Sequence, residues 1–248
     1  MERNGRQDDL AATRAYYDEF AQRYDARRGG RVPGGYHDML DDLELGFLER
    51  FARGKRVLEV GCGTGLLMAR MTDFAAEVVG VDLSPGMLAH ARARGLDAIE
   101  GSATALPFED ESFDVACSFK VLAHVEDIRG ALAEMLRVVR PGGTVVAEFY
   151  NPQSLRAVVK RYGPAGAISD STRESAVYTR FDHPDEVAAM LPPGCRVVDR
   201  RGVRILTPAA KVLELPLVGP LLRGLEERLA DGPLARFGGF WIAAIRKP

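Results

Sequence analysis

The spacing of apolar positions changes once along this chain. Over residues 8–28, Leu10, Tyr17, Phe20 and Tyr24 recur at helical intervals, and over 37–53 Met39, Leu40, Leu43, Phe47, Leu48 and Phe51 lie on or near one helical face. Two helices are expected there, separated by the Gly/Pro-rich break "RRGGRVPGG". From residue 56 the pattern becomes one of short apolar runs suited to strands buried on both faces, at 56–60, 78–82, 97–100, 114–118 and 143–149. Helix-compatible stretches at 64–73, 85–94 and 127–139 lie between most of them. This alternation predicts βαβ units and an α/β fold with a mostly parallel sheet covered by helices on both faces. Ser84 followed by Pro85 marks a helix start, and Pro141-Gly142-Gly143 ends the 127–139 helix and turns the chain into the next strand.

The last hundred residues are less regular. A helix is expected at 184–191 with Asp182 or His183 capping it, a strand at 196–202 and a final strand at 239–246. The stretches 151–182 and 205–237, the latter broken by Pro208, Pro216, Pro220 and Pro233, read as two C-terminal insertions that cover a site. The whole is read as one domain over 1–248: an N-terminal helical lid (1–53), a binding core (54–150), and a cover with the last strands (151–248).

Composition narrows the function classes. With 248 residues, 46% of them hydrophobic and 27% charged, the chain can bury a sizeable core. A net charge of −2 argues against a nucleic-acid backbone as the main partner. The start "MERNGRQDDLAATRAYYDEF" lacks the basic-then-apolar order of a signal peptide, and no apolar run approaches a membrane span. Cys62, Cys117 and Cys195 are scattered, which predicts reduced thiols and a cytoplasmic protein. No His/Asp/Glu cluster has metal spacing, so no metal is expected.

The chemistry concentrates after the first two strands. In "VLEVGCGTG", Gly61, Gly63 and Gly65 follow a strand and precede a helix, where glycines permit a tight turn and close approach of a ligand to the main chain. Leu66 stands where a dinucleotide fingerprint would carry its last glycine, which weakens a pyrophosphate reading. Asp82 ends the next strand, 21 residues after Gly61, where a carboxylate can accept hydrogen bonds from both hydroxyls of a ribose. Leu83 and Met87 can then pack against an adenine face.

These segments, together with "VVGVDLSPGMLAHAR", "GSATALPFEDESFDVACS" and "VLAHVEDIRGALAEMLRVVRPGG", resemble the class I S-adenosylmethionine-dependent methyltransferases. The likeness is strongest to the small-molecule group that includes the quinone-biosynthesis enzymes, and it covers roughly residues 14–150. It implies a Rossmann-like sheet of seven strands and S-adenosylmethionine as cofactor. It places Glu59 and the Gly61–Gly65 loop along the methionine part, with the acid toward its ammonium, and Asp82 on the ribose. Ser102 and Ala103 fall where the family often has Asp-Ala against the adenine amino group, so Ser102 is a departure. Ser118, Phe119 and Lys120 would border the methionine end and the acceptor. A tyrosine of the N-terminal helix often completes the cofactor lid; Tyr16, Tyr17 and Tyr24 are on offer, and Tyr16 and Tyr24 are taken as the candidates.

The acceptor is less legible. The Asn/Asp-Pro-Pro-Tyr/Phe segment of the enzymes that methylate planar amines is missing after the fourth strand, as is the paired-glutamate loop of arginine methyltransferases. A small apolar or aromatic metabolite, methylated on O, C or N, fits best. His124 and Tyr150 are the candidate catalytic groups, because both follow strands at the edge where the acceptor would lie. Lys120 is a candidate contact for an acidic acceptor, and "SLRAVVKRYG" (154–163) a candidate cover. The leucines Leu213, Leu217, Leu221, Leu222, Leu225 and Leu229 read as a packed helix, as the lining of an apolar acceptor pocket, or as a membrane-surface element. Two other readings stand beside the enzyme: an NAD(P)-dependent oxidoreductase, and an inactive cofactor-binding regulator or assembly subunit.

Overall fold

The computed structural model describes residues 2–27, 34–154 and 178–248. Seven strands, β1 (Arg56–Val60), β2 (Glu77–Asp82), β3 (Asp97–Glu100), β4 (Phe113–Ser118), β5 (Val139–Tyr150), β6 (Arg196–Val203) and β7 (Phe240–Arg246), form one sheet in the order β3-β2-β1-β4-β5-β7-β6. β1 to β5 pair in parallel, and β7 lies antiparallel between β5 and β6. The chain runs outward from β1 through β2 to β3, then returns to the other side of β1 with β4. That reversal opens a crevice at the carboxyl ends of β1 and β4, which is where sheets of this kind bind ligands.

The strands are apolar throughout because helices cover both faces. On one face α2 (Tyr36–Ala52), α3 (Leu66–Met71) and α4 (Pro85–Ala93) bury Met39, Phe47, Leu48, Met68, Met71 and Leu88 against Val57, Cys117 and Val146. On the other, α5 (Ile128–Val138) and α6 (Pro184–Met190) bury Leu132, Met135, Val138 and Val187 against Leu58, Ala116 and Ala147. Burial of such side chains contributes about 1.5–3 kcal/mol each and is the main force holding helices to sheet. An N-terminal helix, α1 (Glu2–Arg27), precedes this core. Ser84 caps α4, accepting from the Met87 N–H at 3.1 Å, with Pro85 in the first turn as expected.

Three boundaries differ from the sequence reading. The helix expected over 64–73 is only Leu66–Met71. β5 begins at Val139, not 143, so Pro141-Gly142-Gly143 is a bulge inside the strand: Val139 pairs with Phe113, the register shifts, and Thr144 then pairs with Val115. Gly142 sits at φ +72°, and a Cβ on Gly143 would lie 2.6 Å from the Asp114 carbonyl, so the bulge demands glycine. His183 caps α6, and Glu186 reaches back to accept from its N–H at 2.8 Å.

The stretch 205–237 is ordered structure: a 3₁₀ turn (Ala210–Glu214), α7 (Val218–Leu229) and a second 3₁₀ turn (Pro233–Phe237). Glu226 staples it from within. Its fully buried carboxylate accepts from the N–H groups of Ile205 (2.7 Å), Leu206 (2.8 Å) and Thr207 (2.7 Å) and from the Thr207 hydroxyl (2.7 Å). Of the other insertion, residues 155–177, which hold most of "SLRAVVKRYG", lie outside the described residues.

Candidate active site

The loop after β1 turns toward β2. The N–H groups of Gly61 and Cys62 both donate to the Val81 carbonyl, at 2.7 and 3.0 Å. Gly61, Gly63 and Gly65 adopt φ +78°, +54° and +80°, the left-handed region that disfavours side chains. They are glycines for different reasons. A Cβ on Gly61 would stand 2.3 Å from Val121, and one on Gly65 2.5 Å from Leu96, so these two allow close packing inside the protein. A Cβ on Gly63 would meet nothing within 4 Å. That position faces open space, and it is where a ligand can lie against the main chain.

Asp82 holds the loop from the end of β2. One carboxylate oxygen accepts from the Gly63 N–H at 2.8 Å, the other from the Ser84 N–H at 2.9 Å. A carboxylate has about four lone-pair sites, so each oxygen retains capacity for a hydroxyl. Burial pushes the Asp82 carboxyl above its usual range, opposed by the N–H donors of Ser84, Gly63 and Leu83. Glu59, next to the end of β1, is also buried. Burial raises the Cys62 thiol, and Glu59 and then Asp82 raise it further, which places the thiol within the field of both carboxylates. Cys62 packs under the loop: its Sγ would lie 2.7 Å from a Cβ on Gly80.

α1 closes over this loop through contacts that the sequence did not announce. Asp18 accepts from the Ser84 hydroxyl at 2.5 Å and the Gly86 N–H at 2.8 Å, and the hydroxyl bond holds its carboxyl below the usual range. Asp25 accepts from the Thr64 hydroxyl at 2.7 Å and pairs with Arg94, whose guanidinium also donates to the Thr64 carbonyl at 2.7 Å. Burial raises the Asp25 carboxyl, but the bonds from Thr64 and Arg94 outweigh it and leave it lowered. Two acids 7 residues apart therefore pin one side of α1 to the starts of α3 and α4.

The lid tyrosines form a ladder on α1. Tyr16 stacks on Phe20 at 5.8 Å and meets Tyr17 edge-on at 5.2 Å; Tyr24 meets Phe20 edge-on at 5.6 Å. Tyr17 is the member that senses the site. Burial raises its phenol, with Tyr16, Tyr24 and Asp82 adding to the effect in that order.

The remaining sequence candidates are placed as follows. Leu83 is half-buried and Met87 buried beside the capped start of α4. Ser102 makes a local turn, its hydroxyl 2.9 Å from that of Thr104 and its carbonyl accepting from Ala105; Ala103 packs against the α5-side core. Phe119 is buried in the α2-side core, and Ser118 ties β4 to β1 by donating to the Val60 carbonyl at 2.9 Å. Lys120, at φ +60°, pairs with Glu44 at 2.5 Å and lies 3.6 Å from Asp41, which occupies it within the protein and counts against a role in holding an acidic acceptor. Glu148 lies buried behind it. Burial raises its carboxyl well above the usual range, Glu44 adds to this and Lys120 opposes it.

His124 and Tyr150 come together. Their rings are 5.8 Å apart and near perpendicular, and Tyr150 also meets Phe181 at 5.9 Å and Phe240 at 5.0 Å. Nδ1 of His124 lies 2.9 Å from the Tyr178 carbonyl. A carbonyl only accepts, so Nδ1 carries the proton and the basic lone pair is on Nε2. The 178–182 segment is held against this corner by the Arg180 N–H on the Ala123 carbonyl (2.8 Å) and the Asp182 N–H on the Tyr150 carbonyl (2.9 Å). Tyr178 and Phe181 are more than half exposed beside it. Among the described residues no group of His, Cys, Asp and Glu is arranged to hold a metal ion.

An open cradle at Gly63, a dicoordinate acid at Asp82 and a buried acid at Glu59 suit a ligand with a nucleoside at one end and positive charge at the other. The comparisons agree. Residues 58–147 match the family described as a methyltransferase domain. The chain is 39% identical to a demethylmenaquinone methyltransferase of Renibacterium salmoninarum over 59% of its own length and 61% of that protein's. It is 33% identical to a ubiquinone biosynthesis O-methyltransferase of Hahella chejuensis, over 61% of this chain and 68% of that protein. In fold it is similar to a methyltransferase of Thermotoga maritima, with a TM-score of 0.69 at 22% identity, covering 94% of this chain and 98% of that one. The chain thus spans about three-fifths of the length of the first of these curated relatives, and with the second it shares the whole cofactor half. It belongs to the class I S-adenosylmethionine-dependent methyltransferases.

Proposed function

We propose that this chain binds S-adenosylmethionine at the Gly63–Asp82 edge and methylates a flat, apolar aromatic acceptor of the quinol type. Asp82 would take the ribose hydroxyls, Glu59 would face the ammonium, and Leu83 and Met87 would flank the adenine. When bound, the cofactor supplies an electrophilic methyl group on a positively charged sulfur. Little further activation is needed at that carbon, so the protein's part is orientation, exclusion of water and removal of the acceptor's proton.

The observation that carries the acceptor reading is the aromatic corner of His124, Tyr150, Phe181 and Phe240 at the carboxyl end of β5. Its rings suit a planar ring held by stacking and edge contacts. His124, with its proton fixed on Nδ1, presents Nε2 as the base for a phenolic or ring-carbon proton. The relatives named above, which act in quinone biosynthesis by their names, support the same acceptor class.

The test is product mass. Purified protein is incubated with S-adenosylmethionine and a set of quinols lacking a ring methyl or an O-methyl group, beside simple amines. One quinol should gain a methyl group and the amines none, and His124→Ala should lower turnover of that quinol by about 100-fold, the low end of what a general base supplies. A chain that methylates only amines, or an alanine variant with unchanged turnover, contradicts the reading.

A further inference from the structure

We infer that the apolar tip at the start of α7 is a docking element for an anionic lipid surface. Between Glu214 and Arg223 the sequence "LPLVGPLL" carries no charge. Leu217 is 87% exposed, Leu221 66%, Leu215 50% and Val218 44%. Single exposed leucines are ordinary, but four in one turn-and-helix start form a continuous patch that water alone does not explain.

The tip is built to stay outside. Leu213 is a buried core residue and Leu222 packs against the same cluster, so the chain between them is pushed outward. Gly219 is buried, its N–H donates to the Leu215 carbonyl at 2.8 Å, and a Cβ there would lie 2.2 Å from the Leu213 carbonyl. The helix start is clamped on the preceding turn, and the leucines cannot fold back without breaking that contact. Arg223 is drawn inward to Asp38 and Asp42. Exposed Lys211, Arg228 and Arg236 border the patch in sequence, with Arg228 on the same helical side as Val218, Leu221 and Leu225; the exposed acids nearby are Glu214 and Glu227, and Glu227 lies 3.7 Å from Arg223.

A membrane suits this surface better than a second copy of the chain. The exposed apolar area is on the order of 500 Å², less than the ~800 Å² per partner of a stable protein interface. An apolar tip bordered by cations is the pattern of an element that lies in the headgroup region without spanning it. In keeping with this, no helix among the described residues is long and apolar enough to cross a membrane. The inference does not depend on methyl transfer, although Leu222 shares its core cluster with Tyr36 and Tyr150, so a docked tip would set the aromatic corner close to a lipid-dissolved acceptor.

The experiment is co-sedimentation of the full chain with phosphatidylcholine vesicles, with and without phosphatidylglycerol, without cofactor or acceptor. The wild type should pellet with the anionic vesicles, and more weakly as salt is raised. A Leu217→Ser/Leu221→Ser variant, with unchanged circular dichroism because both side chains are exposed, should bind at least about 10-fold more weakly. A wild type that stays in solution, a variant that binds as well as wild type, or equal binding to uncharged vesicles overturns the inference. So does a wild-type dimer in light scattering that the variant dissolves while neither binds lipid. Because the vesicles hold no acceptor, none of these outcomes bears on methyl transfer.

Discussion

Asp82→Ala is expected to weaken binding of S-adenosylhomocysteine by about 100-fold while leaving the protein folded. Two charge-assisted hydrogen bonds to a ribose are lost, each worth roughly 1.5–3 kcal/mol, and 100-fold corresponds to about 2.8 kcal/mol. The Gly63 and Ser84 N–H groups also lose the acceptor that positions the loop. The fold tolerates the change because burial already disfavours the charged carboxylate, so its removal relieves a cost as well as breaking two bonds. Calorimetric titration measures the affinity and circular dichroism the fold. A variant that binds as tightly as wild type removes Asp82 from the site.

The second large effect separates two glycines. Gly61→Ala should destabilise the protein by about 2–4 kcal/mol, because it combines left-handed strain with overpacking. Its φ is +78° and the new methyl would collide with Val121. Gly63→Ala should cost only about 1 kcal/mol, the price of a left-handed alanine, since nothing lies within 4 Å of the added carbon. Yet that carbon enters the space assigned to the ligand, so affinity for S-adenosylhomocysteine should fall at least about 10-fold. Urea unfolding without ligand and calorimetry on both variants decide the matter. If Gly63→Ala binds normally, the ligand does not lie against Gly63.

The contrast between these glycines shows what the sequence could and could not convey. "VLEVGCGTG" announces three places where a side chain is unwelcome, but not why. Only the fold brings Val121 and Leu96 onto Gly61 and Gly65 and leaves Gly63 open. The buried strands were readable because parallel strands covered on both faces are apolar without interruption. The exception was β5, whose first residues are masked by a Pro-Gly-Gly bulge that resembles a turn.

Side chains that act over long sequence distances were not readable. Asp18 and Asp25 sit on a polar helix and look like solvated acids; their partners, Ser84 and Thr64, are 66 and 39 residues away. Glu226 looks like one more charge in "LEERL", yet it is buried and organises residues 205–207. Lys120 looks like a surface lysine near an acceptor mouth, and the fold commits it to Glu44. The meeting of His124 with Tyr150 was half legible: the strand ends placed both at one edge, while the segment that fixes the imidazole comes from residues 178–182.

The central claim is that this edge delivers a methyl group to an aromatic acceptor. The most direct measurement follows tritium from methyl-labelled S-adenosylmethionine into an organic extract of a reaction containing the purified protein and a demethylated quinol. Label should enter the quinol fraction with the wild type and fall about 100-fold with Asp82→Ala at donor concentrations below saturation. Label that never leaves the aqueous phase, from a protein that still binds S-adenosylhomocysteine, would contradict the account and make the chain a cofactor-binding protein without this activity.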